Sequence, residues 1–198
     1  MSTKPYLKMF YDLETTGLSY KKHCIHNMSG FICSDDRIVE VFDFYFQPHP
    51  KALIDPIALQ KGNVSEELIR SYRPQNEVFY EFRKMLNRYT DRFDKETKII
   101  LVGFNNRKFD DFFLQTLFSL NADDAGFISY FYPETLDVMV LAGEYLQRRR
   151  RGMKNFKLKT VAKELGLLVE EEKLHKSAYD TELTYQMYNI VTRRQIEI

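Results

Sequence analysis

The 198-residue sequence predicts a mixed α/β domain built on one central sheet. Residues 7–14 alternate with a period of two, residues 98–104 (KIILVGF) form a near-continuous apolar run, and Val78, Phe79, Phe82, Met85, Leu86 and Tyr89 recur at helical spacing. The first pattern is that of a strand, the second that of a strand covered on both faces, and the third that of an amphipathic helix.

Taken in order, the strand 7–14 turns Leu7, Met9, Tyr11 and Leu13 to one face and Phe10, Asp12 and Glu14 to the other, and Gly17 ends it. Two β-rich runs follow, 25–33 and 38–47, and the short polar break between them (Ser34, Asp35, Asp36, Arg37) suits a hairpin turn. The opening is therefore an antiparallel three-strand meander. Between Pro48 and Pro74 prolines and glycine interrupt every pattern, and only Ser65-Glu66-Glu67-Leu68 stands out, as a capped short helix. After the buried strand come a helix at 109–120 and a weaker apolar segment at 127–132, expected to form a further strand, which Pro133 stops. Helices are expected at 136–147, at 158–165 with Gly166 closing it, and at 177–191. No repeat or low-complexity segment is present, and residues 1–198 read as a single domain.

Composition bounds the function. A chain of this size buries roughly 70% of the surface its unfolded form exposes and needs no staple to fold. Its 15% aromatic content excludes whole-chain disorder. A net charge of +1 excludes a nucleic-acid binder that works by bulk charge, though not a local basic patch. Cys24 and Cys33 make no disulfide framework and no zinc pattern, as expected of reduced thiols in a cytosolic protein. The start, MSTKPYLKMFYDLE, lacks a signal sequence, and no window approaches the ~20 apolar residues of a membrane span. A soluble, cytoplasmic protein without membrane association is expected.

Three motifs carry chemistry. Asp12 and Glu14, at i and i+2, project side by side from the first strand. Such a pair repels unless a cation such as Mg²⁺ or Mn²⁺ lies between, but the pattern also describes an ordinary solvated strand end. Asp110 follows a buried strand and opens a helix, where α/β proteins place site residues and where the helix dipole alone also favours a carboxylate. Asp180 shares the inward face of the last helix with Leu183, Thr184, Met187 and Val191, so it needs a partner, whether a cation or a salt bridge. His175 lies in the loop before that helix, where a histidine is also commonly just solvated.

In combination the set D-x-E, D, H-x4-D closely resembles the DEDDh family of 3′→5′ exonucleases, which includes the proofreading subunit of bacterial DNA polymerase III, RNase T and oligoribonuclease. The motifs are Asp12-Leu13-Glu14-Thr15-Thr16-Gly17, then Asn106-x-x-Phe109-Asp110, then His175 to Asp180, and the likeness runs over residues 8–191. It is weakest at 48–74 and 91–98. Ser177 and Asn105 stand where the family often has Ala and His.

The resemblance implies a ribonuclease H-like fold and a two-metal hydrolysis. Two divalent cations, Mg²⁺ or Mn²⁺, would be held by Asp12, Glu14, Asp110 and Asp180, with His175 as general base. Thr15, Thr16, Asn106 and Phe109 would contact the terminal nucleotide. The expected substrate is the 3′ end of single-stranded DNA or RNA. Separately, Arg148, Arg149, Arg150, Arg151 and Lys154 crowd one segment around Phe156 and are expected to contact phosphates. Because the sequence ends soon after its last helix, a stand-alone enzyme is expected rather than a polymerase partner. The alternatives are a non-catalytic binding or scaffold protein on the same fold, or a proofreading subunit.

Overall fold

The computed structural model describes residues 4–193; the first three residues of the N-terminal stretch, and residues 194–198 of the expected single domain, lie outside the described residues. A five-stranded sheet in the order β3-β2-β1-β4-β5 forms its centre. Strand β1 (Leu7–Thr15) pairs antiparallel with β2 (Ile25–Ser34), which pairs antiparallel with β3 (Arg37–Tyr45). On its other side β1 runs parallel to β4 (Ile99–Gly103), and β4 parallel to the two-residue β5 (Leu136–Asp137). The sheet is the expected meander extended by parallel strands.

The β2–β3 turn is left-handed at both Asp35 (φ 45°) and Asp36 (φ 66°), which is the geometry of a type I′ hairpin matched to strand twist. Alternation along β1 separates two cores. Leu7, Met9, Tyr11 and Leu13 pack with α3 (Gln75–Leu86) and α4 (Asp110–Leu120), while Phe10 packs with α6 (Val138–Tyr145), α7 (Leu158–Glu164) and α8 (Ser177–Arg193). Helices therefore cover both faces, which is why β1 and β4 are apolar on both sides.

Between β3 and α3 lie two short helices, α1 (Pro56–Lys61) and α2 (Glu66–Arg70). The second is the expected one, with the Ser65 hydroxyl accepting from the Leu68 amide at 3.1 Å. The segment 127–132 departs from expectation. It belongs to a helix, α5 (Asp124–Tyr130), and only Phe131 bridges to Ile99 in strand fashion. Phe127 and Tyr130, three residues apart, share the helix face turned to the core, and Phe131 joins them from the extended residue after the helix. The helix expected at 136–147 begins two residues later, because Leu136 and Asp137 first pair with β4. Cys24 and Cys33 are free and buried. Among the described residues no helix is long and apolar enough to cross a membrane.

Candidate active site

The parallel strands β1, β4 and β5 all end at one edge of the sheet, and helices begin or arrive there. In the β1–β2 ladder Asp12 stands opposite Ser29 and Glu14 opposite Asn27, and the register then slips between Glu14 and Thr15. A left-handed Asn105 (φ 63°) and a 3₁₀ turn carry β4 into α4, whose first residue is Asp110. Asp180 lies in the first turn of α8. Three stretches far apart in the sequence thus bring four carboxylates to one edge.

Their electrostatics show the proximity. Burial, then the charges of Asp110, Asp180 and Glu14, pushes Asp12 well above the ordinary carboxylate range. Burial and Asp180 push Glu14 up to about 8. Burial, with Asp111 and Glu14, pushes Asp110 up to about 8 against backbone hydrogen bonds that pull it down. Burial pushes Asp180 up to about 6, opposed by the His175 amide, which donates to Asp180 Oδ2 at 3.3 Å. Asp180 Oδ1 is buried without a partner among the described residues. No three His, Cys, Asp or Glu side chains among the described residues are gathered tightly enough to grip a cation unaided. These carboxylates repel one another, and drawing them together takes positive charge.

His175 adopts a left-handed backbone (φ 62°), held by that amide bond to Asp180. Its side chain and Glu14 line one cavity of about 370 Å³, together with His26, Asn63 and Ser177. All five residues expected to do chemistry therefore belong to one edge of the sheet. The expected substrate contacts divide. Thr15 is partly exposed there, its hydroxyl bound to the Gly17 carbonyl at 2.9 Å, and Phe109 is half-buried against Phe113. Thr16 and Asn106, by contrast, are 0% exposed. The Thr16 hydroxyl donates to the Leu53 carbonyl and accepts from the Cys24 amide, and the Asn106 amide group donates to Asp111 Oδ1 at 3.0 Å. Both side chains are buried behind the site rather than exposed at it, whereas the resemblance sets them against the terminal nucleotide.

The arginine run follows α6, whose N-terminus is at the site edge, and so begins about 12 Å of helix away. Arg149 is bound to Glu164, and the Arg150 guanidinium lies 4.4 Å over the Phe156 ring.

Comparison with known proteins adds the decisive observation: the family model for exonucleases of the RNase T type matches residues 9–188. The chain belongs to this exonuclease family. A DNA polymerase III of the PolC type from Pediococcus pentosaceus is 25% identical over 180 residues, covering 89% of this chain and 11% of the polymerase. A PolC-type polymerase from Listeria innocua is 21% identical, covering 88% and 10%. This exonuclease thus spans about a tenth of these curated relatives. The solved structure of the zinc-ion-bound E. coli ExoI–ssDNA complex superposes with a TM-score of 0.77 at 19% identity, covering 98% of this chain and 42% of that one, and shares its fold. The chain is a DEDDh-superfamily exonuclease with a ribonuclease H-like fold.

Two networks in the exonuclease escape sequence reasoning. Asp111 Oδ1 accepts from the Tyr11 hydroxyl at 2.5 Å as well as from Asn106, locking the start of α4 to β1. Under the His175 loop, Ser177 donates to Asn27 Oδ1 and to Ser29 Oγ (2.6 Å), while Asn27 and Ser29 both donate to Asp43 Oδ1 (2.7 and 2.6 Å). Ser177→Ala is expected to leave these buried groups short of a partner, at a cost of about 1–3 kcal/mol. A thermal midpoint unchanged in calorimetry would show that the network does not hold the loop.

Proposed function

We propose that this exonuclease removes nucleoside 5′-monophosphates from the 3′ end of single-stranded DNA or RNA, with two divalent cations, Mg²⁺ or Mn²⁺. The observation that carries the reading is the convergence of four mutually repelling carboxylates beside His175. The donor set fits hard cations, being all oxygen, and Asp180 Oδ1 is a buried acceptor with no partner among the described residues. Asp12, Glu14 and Asp180 would hold one ion, and Asp12 with Asp110 the other. Bound ions neutralise the phosphate and the leaving oxygen and acidify water.

The chain's own residues do the rest. His175 takes the proton of the attacking water; its exposed side chain passes that proton on to solvent. The amide bond to Asp180 keeps the imidazole at the cavity rim as the proton is taken up. Thr15 and Phe109 flank the terminal nucleotide. Displacement at phosphorus is in line, so the leaving 3′ oxygen lies opposite the water.

The test mixes the protein with end-labelled DNA and RNA strands of one sequence, in Mn²⁺ and in chelator. A metal-dependent ladder shrinking from the 3′ end is expected; no ladder from folded protein on either strand refutes the proposal. His175→Ala is expected to lower kcat about 10²- to 10⁴-fold while still binding Mn²⁺. Retention of the wild-type acidic limb in its pH profile would remove His175 from the base role. Stand-alone action is the first reading. The likeness to PolC-type polymerases favours a second, service as the exonuclease part of a polymerase, which faster turnover of mismatched than of matched 3′ ends in primer–template duplexes would support.

A further inference from the structure

Outside the catalytic edge, one surface sets an exposed aromatic ring beside lysines. Phe112, in the first turn of α4, is 42% exposed beside the buried Phe113. Its ring stacks on Tyr20, with centroids 5.1 Å apart and planes 17° apart. Beside the pair opens a groove of about 430 Å³ lined by Tyr20, Lys21, Lys22, His49 and Lys51. The three lysines are exposed, and none of them joins an ion pair among the described residues. By contrast, Lys159, Lys163 and Lys173 near α7 are all bound to glutamates.

The groove is built onto the site. Thr16, two residues past Glu14, bonds through its amide to the Cys24 carbonyl and through its carbonyl to the Asp55 amide, while the Leu53 amide bonds to the Lys22 carbonyl. Gly17 lets the His23 ring close over the chain, since a Cβ there would stand 2.3 Å from that ring. The two loops that supply the lysines are thereby fixed relative to the carboxylates.

From these observations we infer that the Tyr20–Phe112 pair with Lys21, Lys22 and Lys51 is the path of the single strand on the 5′ side of the nucleotide being removed. The inference rests on the proposed reaction, which sets the direction. His175 and Asp180 place the attacking water on the α8 side, so in-line displacement sends the leaving oxygen, with the rest of the strand, toward Asp110 and the start of α4. Phe112 stands two residues beyond Asp110. Flat rings accept any base by stacking, and lysines free of carboxylates accept phosphates, which together make a sequence-tolerant track for a single strand.

The experiment compares a dinucleotide with a 20-mer of the same 3′ end, for the wild type, the Lys22→Glu/Lys51→Glu double variant and Phe112→Ala. On the 20-mer the double variant is expected to lose about 30-fold or more in kcat/KM, and its binding in chelator to fall less steeply with salt, the slope shrinking by roughly 0.7 for each phosphate left without its lysine. Phe112→Ala is expected to lose about tenfold on the 20-mer, the value of one stacked base. On the dinucleotide both variants should stay within about threefold of wild type, since a dinucleotide reaches one phosphate only. Equal losses on both lengths, or none on the 20-mer, would overturn the groove. If the wild type hydrolyses neither length, the proposed reaction falls instead, and the salt dependence of 20-mer binding still tests the groove by itself.

Discussion

Asp12→Asn and Asp180→Asn are each expected to abolish hydrolysis, lowering kcat/KM by on the order of 10³-fold or more, in variants at least as stable as the parent. The two expectations come from one arrangement. Each carboxylate is pressed by burial and by its neighbours' charges toward its neutral form, so removing one charge relieves the others. Loss of activity through unfolding would lower the thermal midpoint; loss of a ligand leaves it level or raises it at about pH 8, where the raised carboxylates still carry charge. Substantial residual turnover in either variant would sink the assignment of these residues to the cations.

The metal-free protein provides the second large effect. Glu14 and Asp110 are pushed up to about 8 and Asp180 to about 6, from ordinary values of 4.5 and 3.8. Between its ordinary and its raised value each group binds more proton in the folded than in the unfolded chain, so stability falls as pH rises. The stabilising contribution is complete below about pH 4 and is lost as pH passes through about 6 for Asp180 and about 8 for Glu14 and Asp110. At about 1.4 kcal/mol per unit, reduced by hydration and by coupling among the groups, the loss is on the order of several kcal/mol. In a thermal melt with chelator the midpoint should drop by roughly 10 °C or more between about pH 5 and 9, and Mn²⁺ should restore it. A midpoint flat across that range, or indifferent to Mn²⁺, would show that these carboxylates are not held together as charges.

Much of the fold is legible in the residue order because its signals are local. The period of two in β1, the polar hairpin turn at Asp35 and Asp36, and the apolar run of β4 each lie within a few neighbouring residues. The carboxylates are legible through spacing: D-x-E puts two on one face of a strand, and H-x4-D sets a loop residue against the first turn of a helix. What stays hidden depends on partners remote in sequence. Ser177 and Asn27 are 150 positions apart, and Tyr11 and Asp111 are 100 apart, so nothing beside either residue announces the bond. Thr16 and Asn106 sit in substrate-contact motifs, and only their neighbours in space turn them inward. Helix α1 does leave a signal, Asp55 capping the Ile57 amide with proline in the first turn, which the surrounding prolines mask.

The placement of α8 against β1 also bears on how the protein is made. Asp12 is made before Asp110 and Asp110 before Asp180, and the edge that collects them exists only once α8 has docked on the first strand. Contacts over such separations close late in folding. A growing chain that has not yet made α8 therefore carries no assembled cluster of carboxylates. The cluster forms only when the last of these elements is in place.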